Sequence, residues 1–321
     1  MAINVAIAFF LDLLIGDPRT RAHPVRILGS MLGFLERRFY PMERKFIGGL
    51  LLVICALAIV FLVMLGLWYL MPFFTLPLSI NVVLVILLFF LLCNRDMVRE
   101  ARKVYSHLEQ ERLEDARVQA GRIVGRDTTE LGKGDIIRAT VETVAENVVD
   151  GFTAPLFYLL IGGVVLAYIY KTVNTVDSRF GYRNERYEKF GRAGARLDDA
   201  LGFLPARLNV LLALCVTGFS GDVFRTVRRY GRSHPSPNSG VAEAVFAGYL
   251  GMALGGPSYY NGVMKEKPWI GENHIEEGEL ENPRLILRAI GLYWRIVSVT
   301  LIAGVAALTF LRLPLIFGLR G

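Results

Sequence analysis

IGGLLLVICALAIVFLVMLGLWYL, residues 47–70, is 24 residues without a charge. At about 1.5 Å of helical rise per residue, such a run covers the roughly 30 Å hydrocarbon core of a bilayer. Two further stretches read the same way: 76–93 is uncharged, and 289–311 is apolar apart from Arg295. Across all 321 residues the chain is 53% hydrophobic, with a mean hydropathy of +0.43. These values exclude an ordinary soluble domain. They predict an all-α, polytopic integral membrane protein. Spans are expected at 47–70, 76–93 and 289–311, the first two joined by a short turn at 71–75, and a soluble helical arm is expected over about 94–150. The whole of 1–321 reads as one membrane-embedded domain.

The polar residues carry the chemistry. Residues 125–158 read GRDTTELGKGDIIRATVETVAENVVDGFTAPLFY. A helix from about Asp135 aligns Arg138, Glu142, Glu146 and Asp150 along one face, four residues apart. Ile136, Ile137, Val141, Val144 and Val148 fall largely on the other. Asp150-Gly151 should end the helix. Three carboxylates in a row repel one another, so a cation is expected opposite them, and Mg²⁺ takes oxygen ligands. The plainer reading is a solvated face on which Arg138 pairs with Glu142.

The N-terminus lacks a basic leader and carries Asp12 within its apolar run, so a retained helix is expected rather than a cleaved signal. In 16–29, GDPRTRAHPVRILG, two prolines hold Asp17, Arg19, His23 and Arg26 out of regular helix. His23 reads either as a proton-transfer or phosphate-contacting group or as a structural one. Residues 34–45 form a basic amphipathic connector. The mixed charges of 94–125, His107 included, read as a solvated face. The Gly-Lys-Gly at 132–134 lacks the spacing, the following Ser or Thr and the preceding strand of a phosphate loop. Cys55, Cys93 and Cys215 sit in apolar runs without a CxxC pair and read as buried small hydrophobes. The net charge of +7 is spread beside equally dense acids. That points away from nucleic acid and toward phosphate-bearing ligands in a membrane protein.

Residues 170–208 are the densest polar run, YKTVNTVDSRFGYRNERYEKFGRAGARLDDALGFLPARL. Its arginines suit phosphate, because a guanidinium presents paired donors. Adjacent Asp198 and Asp199 are either a second metal site or a cap. The loop GRSHPSPNSG, 231–240, presents His234. After it, AEAVFAGYLGMALGG is a small-residue helix suited to close packing. Residues 258–288 read as a polar loop.

Four of these runs, 16–29, 125–158, 170–208 and 234–256 (HPSPNSGVAEAVFAGYLGMALGG), resemble in order the adenosylcobinamide-phosphate synthase family, CbiB, also called CobD. The chain departs from the family pattern at Arg179, where Met is frequent, and at Gly202, where Asn is frequent. The resemblance implies a membrane enzyme of cobalamin biosynthesis. Such an enzyme condenses adenosylcobyric acid with an aminopropanol phosphate, consuming ATP and requiring Mg²⁺. On that basis Glu142, Glu146 and Asp150 are the first expected metal ligands, with Asp177, Asp198 and Asp199 second. Arg19, Arg26, Arg126, Lys171, Asn174, Arg179, Arg186, Arg192, Arg196 and Asn238 are expected at substrate and phosphate. His23, Glu146 and His234 are expected in catalysis.

Lys and Arg crowd both 94–151 and 171–202, which favours the cytoplasmic face for each. The intervening 152–170, with Pro155 and Gly162-Gly163, then reads as re-entrant. Residues 203–219, broken by Pro205, and 241–254, too short to cross, read as partly inserted. The expected product is a multi-pass plasma-membrane protein with several broken or partially inserted helices and a helical and loop active site facing the cytoplasm. It contacts lipid and leaves room for a homo-oligomer. A CDP-alcohol phosphotransferase is excluded because Ala154 is followed by Pro155. A transporter or corrinoid-binding scaffold is the non-enzymatic alternative, to which Asp12 and Arg295 would lend intramembrane charge.

Overall fold

The uncharged run at 47–70 forms helix α3, Lys45–Leu70, as its length requires. Ile54, Leu62, Val63 and Trp68 stand exposed along it, an arrangement that lipid tolerates and water does not. The computed structural model describes residues 1–16, 18, 23–70, 77–92, 94–182, 184–260 and 262–310. The expected turn at 71–75, together with Asp17, Arg19, Cys93 and Arg183, lies outside them. Among the described residues, five helical stretches have the length and hydropathy to cross a membrane: Lys45–Leu70, Asn81–Glu109, Lys133–Phe180, Arg192–Val216 and Arg284–Phe310. The protein is all-α and polytopic, and its chain forms two compact units.

The first unit comprises Met1–Cys93, Ala154–Gly202 and the C-terminal segment from Leu301. Helix α1, Ala2–Ile15, packs on α4, Pro77–Leu91, where Asn4 donates to Asn81 Oδ1 at 2.9 Å. Helix α2, Pro24–Phe39, begins on a proline, whose fixed φ and missing N–H suit a first helical position. His23 caps it, with Nδ1 accepting from the Val25 N–H at 3.0 Å. Leu28, Leu32 and Leu35, spaced for one helical face, pack with Leu52, Val53, Ala56, Val176, Phe180 and Phe190 as the core of the unit. At Gly49 the chain passes so close that an added Cβ would stand 1.7 Å from the Phe190 carbonyl oxygen.

Several local expectations are corrected. The helix does not end at Asp150-Gly151. It passes through a π turn, Val148–Thr153, into α8, Ala154–Phe180. The two ends of the dense polar run are helical, on α8 and on α9, Arg192–Val216, with turns between them. Pro205 sits inside α9 without ending it. A proline at 205 leaves the carbonyl of Leu201 without its helical donor. The Tyr158 hydroxyl supplies the replacement, 2.8 Å from Leu201 O. The irregularity expected at Gly162-Gly163 is present: both have non-helical dihedrals, with φ 68° at Gly163. Cys55 is half-buried, packed against the core of the first unit, and Cys215 is exposed.

The second unit comprises Asn94–Thr153 and Phe203–Thr300. It contains α5, Arg95–Glu109; α6, Leu113–Ala120; α7, Lys133–Asn147; α10, Gly221–Tyr230; α11, Ser239–Leu250; α12, Glu277–Leu280; and most of α13, Arg284–Phe310. As the spacing predicts, Ile136, Ile137, Val141, Val144 and Val148 are all fully buried. The small residues of α11 bring α10 close: a Cβ at Gly248 would lie 2.8 Å from Val223 Cα. Within 258–288, expected as loop, the chain forms short antiparallel pairs. β1, Leu254–Gly255, pairs with β4, Trp269–Ile270, and β2, Ser258–Tyr260, pairs with β3, Val263–Lys265.

Two glycines on α3 make a controlled test of close packing. Gly49→Ala forces the backbone at Phe190 to move, and overpacking of this kind costs about 1–3 kcal/mol. Gly66→Ala meets nothing within 4 Å. Thermal melts in detergent should show a clear fall in midpoint for the first and none for the second.

Candidate functional site

Glu146 occupies the last turn of α7. His234 lies in the loop between α10 and α11, and Glu243 lies on α11. Each offers one potential ligand atom, and these three atoms lie within 4.8 Å of one another. Among the described residues this is the group of three His, Cys, Asp or Glu side chains spaced to hold a metal ion. His234 Nε2 stands 3.8 Å from Glu243 Oε1. The ring is set by Ser236, whose N–H and carbonyl oxygen lie 3.0 and 3.2 Å from Nδ1. A Cβ at Gly240 would stand 2.6 Å from His234 Cβ, so the glycine gives the histidine its seat.

Glu243 is 2% exposed, and its Oε2 is buried without a hydrogen-bond partner. Burial pushes its carboxyl well above the ordinary range, and the charges of Glu142 and Glu146 add to the shift against Lys267 and Arg126. A desolvated carboxylate beside two others is costly unless it is protonated or meets a cation. Two carboxylates with an unsatisfied oxygen fit Mg²⁺, which binds one or two carboxylates and retains several waters. The imidazole equally suits Mn²⁺ or Zn²⁺.

Glu142, expected as a metal ligand, holds the surrounding chain together. One carboxylate oxygen accepts from the Gly255 N–H at 2.7 Å, and the other pairs with Arg126. Arg126 in turn donates to Ser258 Oγ at 2.7 Å. Asp150 lies on the π turn, within electrostatic reach of Glu146, and it is not one of the three grouped residues. Arg138 pairs with Asp135 at 2.9 Å and stacks on Trp269, not with Glu142. Asn238 accepts from Arg207 at 2.9 Å. Lys267 donates to the Tyr260 hydroxyl at 2.5 Å.

The remaining expected residues lie in the first unit. Lys171, Asn174, Asp177 and Arg179 follow one another along α8, while Arg192, Arg196, Asp198 and Asp199 lie on α9. Asn174 Nδ2 and Asp198 Oδ1 meet at 3.5 Å. Arg186 is a brace: it pairs with Glu36 at 2.9 Å and stacks on Tyr40, and the Tyr187 hydroxyl donates to the same carboxylate. His23 caps α2 as described, Arg26 stands exposed in its first turn, and Arg19 is outside the described residues. Glu243 and Lys267 were missed in the sequence. The signal for Glu243 was a lone acid among Ala, Val and Phe on a helix with no polar face.

The family described as CobD/Cbib protein matches residues 5–293. A cobalamin biosynthesis protein CobD of Leptospira interrogans is 37% identical over 302 residues, 89% of this chain and 93% of its own. The CobD protein of Clostridium perfringens is 38% identical over 305 residues, covering 92% and 96%. A cobalamin biosynthesis protein CbiB of Salmonella typhi is 40% identical over 285 residues, covering 83% and 86%. No solved structure matches. The long apolar helices and relatives matched over most of their length agree: the chain belongs to the CobD/CbiB family of cobalamin biosynthesis proteins.

Proposed function

We propose that this protein is an adenosylcobinamide-phosphate synthase of the plasma membrane, joining adenosylcobyric acid to (R)-1-amino-2-propanol O-2-phosphate or a related amino alcohol at the expense of ATP. The observation that carries the reading is the Glu146–His234–Glu243 group, two half-buried side chains around a buried carboxyl, with Arg126 and Lys267 within electrostatic range of it. Family membership supports the pathway, and the site supports an ATP-consuming ligase rather than a passive scaffold. An active site facing the cytoplasm would meet ATP.

A carboxylate does not react with an amine at neutral pH. Attack of the corrinoid carboxylate oxygen on the γ-phosphorus of ATP forms an acyl phosphate and releases ADP. The amine then attacks the acyl carbon, the C–O bond to phosphate breaks, and the amide forms. Crowded anions at both steps require fixed positive charge. Mg²⁺, when bound at Glu146 and Glu243, would supply part of that charge. Arg126 and Lys267 contribute the rest from the protein. His234, oriented through Nδ1 by Ser236, presents Nε2 to take the proton that the attacking ammonium gives up.

Phosphate release from ATP by detergent-solubilised protein, measured with both organic substrates present, tests the reading. Wild type should turn over only when both are supplied. Glu146→Gln should lower the rate at least 100-fold, and His234→Ala by roughly 10²–10⁴, the contribution of a positioned general base. ATP-independent transport, or an unchanged Glu146→Gln rate, contradicts it.

Glu243 gives a stability test with a defined sign. Its folded-state pKa lies above the ordinary value of 4.5, so the folded state is penalised as pH rises above that value. Below it, both states hold the proton and the penalty is absent. Glu243→Gln removes the penalty. Without added divalent cation, its melting midpoint should therefore exceed that of wild type at pH 7–8, and the two should converge near pH 4.

A further inference from the structure

Away from the carboxylate group, the first unit contains a cavity of about 670 Å³ lined by Val25, Arg26, Gly29, Ser30, Gly33, Arg37, Thr175 and Arg179. Arg26, Gly29, Gly33 and Arg37 follow a 3-4-4 spacing, which places them in one stripe along α2. The two glycines make the stripe a trough. Arg179 reaches into it from α8, and its Nη1 donates to Gly29 O at 2.6 Å. At Gly33 a Cβ position would lie 3.6 Å from Arg179 Nη2 and 3.9 Å from Arg37 Nη1. Two guanidinium groups therefore converge on one point, with a third at the head of the trough and no carboxylate among the described residues of the lining. Neighbouring Glu36 is occupied by Arg186 and Tyr187.

Like charges held together repel unless an anion completes the arrangement. Arginine forks match phosphate oxygens in pairs. The same helix exposes Ile27 at 56% and Phe34 at 61%, and it packs against the membrane-length α3. A basic stripe beside exposed apolar side chains is the pattern of a helix lying in the interfacial layer. We infer that this trough binds the phosphate of an anionic phospholipid, with Arg37 and Arg179 on the phosphate oxygens and Arg26 and Ser30 at its edge. The site is independent of the reaction proposed above.

Native mass spectrometry of detergent-solubilised protein tests it, with short-chain phosphatidylglycerol and phosphatidylcholine of equal chain length titrated separately. Phosphatidylglycerol should bind at least tenfold more tightly. Arg37→Gln and Arg179→Gln should each weaken it several-fold, and Gly33→Leu, which fills the trough without changing charge, should do the same. Arg102→Gln, an exposed arginine elsewhere, should have no effect, and circular dichroism checks that every variant is folded. Equal binding of the two lipids, or folded variants that all retain phosphatidylglycerol, overturns the inference. Displacement of the lipid by micromolar ATP or inorganic phosphate overturns the lipid assignment in favour of a soluble phosphate ester.

Discussion

A carboxylate taken out of water must find a proton, a hydrogen-bond donor or a cation, and Glu243 is where the second unit meets that demand. Its helix consists otherwise of small and apolar residues and is buried along most of its length. The acid contributes nothing to the packing there that Ala or Leu would not provide at lower cost. Its place beside Glu146 and His234 is therefore explained by chemistry, not by stability. Much of the second unit serves to hold this arrangement. Ser236 orients the imidazole and Gly240 makes room for it, while Glu142 ties α7 to β1 and to Arg126.

The division of labour along α7 shows how one helix carries both core and site. Its apolar face is fully buried, as a period of 3.6 residues dictates. Its acidic face is not a uniform ridge. Glu142 is held by an arginine and a backbone amide, Glu146 faces the histidine, and Asp150 follows on the π turn within electrostatic reach of Glu146. π turns of this kind add a residue to a helix and are frequent where function needs a side chain re-aimed.

The class of fold was legible because an uncharged run of bilayer length can hardly be housed anywhere but in a bilayer, and the buried face of α7 followed from periodicity alone. Glu146 and His234 were recognisable as polar residues in unusual surroundings. Their union with Glu243 was not, since nearly a hundred residues separate Glu146 from Glu243 and only tertiary packing joins them. Pro205 misled for a related reason. Its cost to a helix is local, but the hydroxyl of Tyr158 offsets it from 47 positions upstream. His23 shows the reverse case, where proximity to proline signalled a special loop and the histidine acts as a helix cap.

The proposed chemistry depends on Glu146 and Glu243 holding one cation beside His234. Electron paramagnetic resonance of Mn²⁺ added to the purified, metal-free protein in detergent measures this directly. The prediction is one tightly bound Mn²⁺, displaced by excess Mg²⁺ and lost in both Glu146→Ala and Glu243→Ala. Mn²⁺ binding that survives both substitutions would contradict it.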